Sequence, residues 1–176
     1  MKTRKCKYCK SVFSPITTLQ KNCFEPNCVT EWLNEVKQKN WKRKKAKLKM
    51  DLMTIQDYVK LAQQVFNKYI RLRDAGKFCI SCGKKPLKEN AGHFYNANNH
   101  WSVRFDERNV HLQCEHCNTY LSGNLIYYRE NLLTKIGIEE FESLSAEAMK
   151  TRKFTIEELK EIIATYKKKI KELELY

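Results

Sequence analysis

The sequence predicts an α+β fold in separate parts, on three observations. All eight cysteines fall into two quartets, Cys6-x2-Cys9-x13-Cys23-x4-Cys28 and Cys79-x2-Cys82-x31-Cys114-x2-Cys117. Apolar residues recur at three- and four-residue spacing over 54–73 and again after Thr155, the period of an amphipathic helix. Between these helices, residues 77–120 hold short extended segments around a polar NANNHW turn.

Length and composition set the bounds. A chain of 176 residues allows one domain with an appendage or two small domains, and excludes a large multi-domain enzyme. With 42% hydrophobic residues, five Gly and three Pro, it is neither wholly disordered nor fibrous. No apolar run approaches the ~18 to 20 residues that span a bilayer, and MKTRKCKYCK has no apolar region after its charges, so a soluble cytoplasmic protein is expected. The formal net charge is +14, of which +11 falls in residues 1–50, +3 in 51–120 and none in 121–176. That concentration implies a polyanion partner, nucleic acid first and an acidic membrane surface as the rival.

Taken in order, residues 1–30 are expected to form a small module around Cys6, Cys9, Cys23 and Cys28, too short for a core of its own. In a reducing cytosol, paired C-x2-C knuckles point thiolates at one tetrahedral zinc ion more often than they pair as disulfides; disulfides in a secreted mini-domain are the alternative. Residues 31–53 follow as a basic helical linker, with eight Lys or Arg among the thirteen residues 37–49. Lys42, Arg43, Lys44 and Lys45 are the candidate DNA-backbone contacts, against the reading of a merely solvated helix. Residues 54–176 make the main domain. Thr54 and Asp57 resemble a capping box that opens a helix ending near Ala75-Gly76. The second quartet, Cys79, Cys82, Cys114 and Cys117, closes a loop of 31 residues with a second structural zinc, and brings His93 and Asn118 near one another. Helical patterns follow at 124–136 and 138–149, and Thr155 with Glu158 caps a last helix whose Ile156, Leu159, Ile163, Tyr166, Ile170 and Leu173 share a face. That stripe can form the seam of a twofold homodimer or pack on the helix at 54–73.

Within 77–120 the order C-x2-C, His93, Asn109, then four residues to Cys114-x2-Cys117 and Asn118, resembles the HNH, or ββα-metal, nuclease motif. The strings CISCG, AGHFY, RFDERNVHLQC, CNTYLSGNLIYYR and the closing FTIEELK, with the early knuckle and the basic stretch, resemble the bacteriophage NinG (Rap) recombination-endonuclease family along nearly the whole chain. The resemblance implies a zinc-stapled ββα-metal core flanked by helices. It further implies a structure-specific endonuclease acting on Holliday junctions and D-loops in phage recombination, with a divalent metal, in the host cytoplasm.

The chemistry gives each residue a role under that reading. Phosphodiester hydrolysis needs a water deprotonated for in-line attack, and an imidazole near its ordinary pKa of ~6.5 suits the task, so His93 is the expected base. Mg2+ or Mn2+ would offset charge on the phosphate, with Asn118 as an amide-oxygen ligand or, in the other reading, as the N-cap of the next helix. Asn109 is expected to tie the loop and orient His93. Arg104 and Arg108 are expected to grip phosphate with their planar guanidinium groups. One departure stands out: HNH nucleases usually carry Asp before the first His, and here that residue is Gly92. Asn90 or His111 would have to supply the missing ligand unless Gly92 marks a bulge. His100 reads as a surface or DNA-contacting residue, and His116 as part of the knuckle turn. The departure at 92 supports the alternative of a non-catalytic zinc-containing nucleic-acid-binding accessory protein on a degenerate HNH scaffold, and a third reading is a protein-binding adaptor.

Overall fold

A computed structural model describes residues 3–175, and the chain divides into two compact units, Met1–Met53 and Thr54–Tyr176. The first holds a two-residue antiparallel pair, β1 (Arg4–Lys5) and β2 (Val12–Phe13), and one long helix, α1 (Pro26–Asp51). Neither strand was legible as a period, being too short to show one. Helix α1 begins with Pro in its first turn, where the missing N–H costs nothing. It therefore starts before the basic stretch and already contains Cys28, so no structural break falls at residue 30. A metal ligand and the cationic run share one helix, whose sole buried residue is Cys28. The interior of this unit is Cys6, Cys23 and Cys28, with Tyr8 and Phe13 packed against them.

In the second unit, α2 (Ile55–Arg73) opens with the expected capping box: the Asp57 amide donates to Thr54 Oγ1 at 3.3 Å, and the Thr54 amide donates to the Asp57 carboxylate at 3.0 Å. Next come β3 (Glu89–His93) and β4 (Val110–Cys114), paired antiparallel from Glu89↔Cys114 to His93↔Val110. A one-turn helical segment, His116–Tyr120, leads to α3 (Leu125–Ile136), α4 (Ile138–Ala148) and α5 (Ile156–Leu173). The Thr155 and Glu158 box caps α5 as the sequence predicts.

The hairpin lies between two apolar clusters. Val110 joins Phe66, Tyr69 and Ile70 of α2 and Tyr166 and Ile170 of α5. The second cluster gathers Tyr128 and Leu132 of α3 with Phe141 and Leu144 of α4, against Phe94 and Tyr95 beyond β3. Because Leu159, Ile163, Tyr166 and Ile170 are buried where α5 packs on α2, the stripe read as a dimer seam is an internal one. The edge of β4 away from β3 is buried and is finished by side chains and by the Ile80 amide, which donates to the Leu112 carbonyl at 2.9 Å, instead of by a third strand. Arg73 donates to the Val110 carbonyl at 2.8 Å, and the Leu112 amide donates to Asp74 at 3.2 Å. This satisfies backbone groups that would otherwise stay unpaired in the interior. Burial opposes the charge on Asp74, yet hydrogen bonds from Arg73 and Lys77 hold its carboxyl well below the usual carboxylate range.

Candidate metal centres and active site

The two quartets are the strongest chemical feature. In each, the four sulfurs lie within 4.8 Å of one another, and among the described residues all eight cysteines are free thiols. The Cys9–Cys23 and Cys82–Cys114 sulfurs are 3.7 and 3.8 Å apart. Ligands ~2.3 Å from a tetrahedral zinc stand roughly 3.8 Å from each other, so the spacing fits zinc and is far too long for a disulfide. Burial, together with neighbouring thiols, pushes Cys28 and Cys117 up to about 12. At the other end, burial is outweighed by backbone N–H groups, which pull Cys6 down to about 6 and Cys79 below the ordinary thiol value. A cation would hold all four sulfurs of a quartet as thiolates. Backbone N–H groups already aim at the sulfurs: Tyr8 and Cys23 donate to Cys6 at 3.4 Å, and Cys117 donates to Cys114 at 3.4 Å. The Asn124 amide reaches the Cys117 sulfur at 3.5 Å. Sequence reasoning missed Asn124, since nothing in a lone Asn before a helix signals a role beside a ligand.

His93 ends β3 on the face that α2 covers. It is half-buried, and its Nε2 lies 3.1 Å from the Arg104 carbonyl, which can only accept, so Nε2 carries the proton and Nδ1 is left with a free lone pair. Burial pushes its pKa down to about 4, with the nearby Arg104 charge acting in the same sense and the Arg104 carbonyl opposing. The ring is thus neutral at cellular pH. Asn109 is fully buried and ties the loop beyond His93: its Oδ1 accepts from the Tyr95 amide at 2.7 Å, and its Nδ2 donates to the Tyr95 and Val103 carbonyls at 3.0 Å each. With both ends of the amide engaged, Asn109 sets the loop and touches no substrate.

The candidate ligands for a divalent ion are not gathered around His93. By the two-residue alternation of a strand, Asn90, Gly92, His111 and Gln113 share the opposite face. The pairing runs through Gly92 without a bulge, so the bulge that might have drawn Asn90 forward is absent. Gly92 is instead required by close approach, because a Cβ there would collide with the side-chain oxygen of Gln113. That oxygen is buried without a hydrogen-bond partner, while its amide nitrogen donates to Ser81 and to the Gly123 carbonyl. His111 is buried as well, with Nδ1 3.3 Å from the Tyr128 hydroxyl, which in turn donates to the Gly92 carbonyl at 3.0 Å. Desolvation, aided by Lys135 and Arg73, pushes His111 down to about 3. It is an interior residue on the strand face away from His93. Asn118 sits half-buried in the His116–Tyr120 turn and is not the N-cap of α3, a place held by Asn124. Among the described residues the two cysteine quartets are the groups of three or more His, Cys, Asp or Glu that could hold an ion, and a carboxylate cage for Mg2+ or Mn2+ is not among them.

The cations divide by availability. Arg108 is not free to grip phosphate: its guanidinium is engaged by Asp106 at 2.7 Å and Glu140 at 2.6 Å. Arg104 donates to Gln63 at 2.9 Å and to the Ala97 carbonyl at 3.1 Å, and stacks on Trp101. Lys42, Arg43, Lys44 and Lys45 are exposed on α1 and have no ion pair among the described residues. His100 is held by the Ala148 carbonyl at 2.9 Å, so it is a packing residue rather than a surface contact, and His116 is exposed beside Tyr120. Among the described residues no helix is long and apolar enough to cross a membrane.

Comparison with known proteins places this arrangement. The family described as Bacteriophage Lambda NinG protein matches residues 1–175. Protein ninG of Escherichia phage 933W is 35% identical over 188 residues, covering 97% of this chain and 93% of the relative. Protein ninG of Salmonella phage P22 and that of Escherichia phage lambda are each 42% identical over 117 residues, covering 66% of this chain and 57% of each relative. No solved structure matches the chain.

Proposed function

The chain belongs to the bacteriophage lambda NinG protein family, and on that premise we propose that it is a DNA endonuclease of the host cytoplasm that hydrolyses phosphodiester bonds in branched recombination intermediates. The observation that carries the reading is His93. Its Nε2–H is pinned to the Arg104 carbonyl, so the Nδ1 lone pair is the one to face the reacting water. Burial keeps the ring neutral but, at about 4, makes it a weaker base than an ordinary imidazole, and the negative charge of a bound phosphate would raise it. Asn109 holds the loop that follows, and the zinc quartet Cys79, Cys82, Cys114 and Cys117 fixes the two ends of the hairpin against each other. The cations of α1 would hold the DNA backbone, and Arg104, whose carbonyl meets His93, is the candidate phosphate contact within the second unit. The residues around His93 do not form a preformed site for Mg2+ or Mn2+, and the base step needs only the His93 ring; Asn118 is the amide left to meet an ion that arrives with the phosphate.

The test is a nicking assay on a four-way junction and a D-loop with Mg2+ or Mn2+. His93→Ala is expected to leave zinc content and DNA affinity within about threefold while cleavage falls by ~10^2 to 10^4. Asn118→Ala is expected to recover part of its lost rate as the ion concentration is raised. Unchanged cleavage in His93→Ala removes the mechanism. A second reading, a zinc-containing DNA-binding accessory protein without catalysis, is favoured by Gln113 filling the place of a side chain at 92. It predicts junction binding with no nicking under any ion.

A further inference from the structure

Along the first half of α1 lies a groove of about 670 Å³ that the endonuclease reading leaves unused. Val29, Trp32, Val36 and Lys39 form its floor, one helical face by their spacing of three and four residues, and the segment 16–24 forms its wall. Its apolar rim is open to solvent: Phe24 is 64% exposed and Trp32 44%, next to Ile16 and Leu19. Lys7, Lys21 and Lys39 stand around it. The single carboxylate present, Glu35, is taken up by Lys7, by Lys39 at 2.9 Å and by the Tyr8 hydroxyl at 2.7 Å. From Lys39 the helix runs on without interruption into Lys42, Arg43, Lys44 and Lys45.

We propose that this groove takes an unpaired DNA base, stacked on Trp32 and Phe24, while the backbone of the adjoining duplex follows the cations from Lys39 toward Lys49. Charge decides between occupants. An apolar protein segment would fill the groove equally well, but it would leave the excess positive charge, three lysines to one carboxylate at the mouth and Lys42 to Lys45 along the same helix, without a partner. A nucleotide supplies both parts at once, a flat apolar ring for the aromatic side chains and phosphates for the lysines. Such a site would recognise a branched substrate by the unpaired strand beside a duplex arm, which a plain duplex lacks.

This inference rests on the DNA-binding reading above, and the experiment separates the two. Zinc-loaded full-length protein is titrated by fluorescence anisotropy with a blunt duplex, with the same duplex carrying a single-stranded thymidine tail, and with an abasic tail of equal length. The base-bearing tail is expected to bind about tenfold more tightly than the abasic one, the order that a stacked base contributes. The double variant Phe24→Ala and Trp32→Ala is expected to abolish that difference while keeping zinc and blunt-duplex affinity. Trp32→Tyr, which keeps a ring, is expected to retain it. Equal binding of the two tails by the wild type overturns the proposal, even if the alanine variants prove unstable, and so does a variant that keeps the difference. A protein that binds none of the three molecules removes the DNA-binding reading itself.

Discussion

The two cysteine knuckles are built on the same turn, and the units around them are built differently. In both, the residue after the second cysteine donates its amide to the carbonyl of the first: Lys10 to Cys6 at 3.1 Å, Gly83 to Cys79 at 2.9 Å. In both, the first cysteine's amide donates to the next carbonyl along, Ser11 at 2.8 Å and Lys84 at 2.9 Å. Around the first knuckle the buried residues are cysteines, so the cysteine quartet is the core. Around the second, two apolar clusters already pack the hairpin between helices, and an ion held by the quartet would staple one end of it. One local motif thus serves as the whole interior in one place and as a clamp in another.

Metal removal should break the comparison most visibly. Elemental analysis is expected to give about two zinc per chain, and structural zinc contributes on the order of 10 kcal/mol to small modules. Under a strong chelator, hydrogen exchange should show protection lost throughout residues 4–30, whereas α2 and α5 keep theirs and the hairpin ends open. Cys6→Ser should reproduce the first loss alone and Cys79→Ser the second. If α2 and α5 lose protection at the same chelator concentration as the first module, the distinction between core and clamp is wrong.

Within the second unit the hairpin offers a finer cut. Gly92→Ala forces a methyl group onto the Gln113 side chain in a packed interior, where overpacking costs about 1 to 3 kcal/mol. A lower urea midpoint with unchanged slope is the expected result, and Gln113→Ala in the same chain should recover part of the loss. Additive losses from the pair would mean that the two side chains do not compete for one space.

Acid acting through histidine should be felt in this unit, because all four histidines lie within it. His93 and His111 have folded pKa values of about 4 and about 3, below the ordinary ~6.5. The unfolded chain therefore binds protons that the folded one does not. The stabilisation is fully present above about pH 6.5 and is lost as pH falls through 4 and then 3. Zinc release at low pH is common to wild type and variants, so the difference between wild type and the double variant His93→Gln, His111→Gln isolates the histidines. Its stability profile in urea should be flatter between pH 6.5 and 5.5; a parallel profile would rule out the buried neutral rings.

Much of this was legible in the sequence, and what was not has physical causes. The quartets, the capping boxes at Thr54 and Thr155 and the helical stripes are local patterns, and local patterns can be read from spacing. The hairpin's face assignment could not be, because it depends on register: one residue of slip would have put His111 beside His93. Nor could Gln113, whose importance arises from touching a residue 21 positions earlier, or Arg108, which looks like a phosphate clamp until Glu140 arrives from another helix. The α5 stripe fits either a partner subunit or the helix at 54–73, since an amphipathic face says only that something covers it, and α2 covers it.

The smallest expected effect bears most directly on the comparison. Lys10 and Gly83 occupy the same place in the two turns, with φ of 64° and 65°. At that angle a side chain brings Cβ against its own backbone, at a cost of about 1 kcal/mol relative to glycine. Lys10→Gly should therefore stabilise the first module, although the added freedom of glycine in the unfolded chain offsets part of the gain. Gly83→Lys should destabilise the second by a similar amount, since a Cβ at Gly83 meets nothing within 4 Å and strain is the only penalty. Competition for zinc against a coloured chelator reads both changes in one experiment, as opposite shifts at the two sites. If instead Lys10→Gly weakens zinc binding, the Lys10 side chain is contributing more than its backbone. The contact to examine then is its ammonium donating to the Lys7 carbonyl at 2.7 Å, a link across the turn that Gly83 has no means to make.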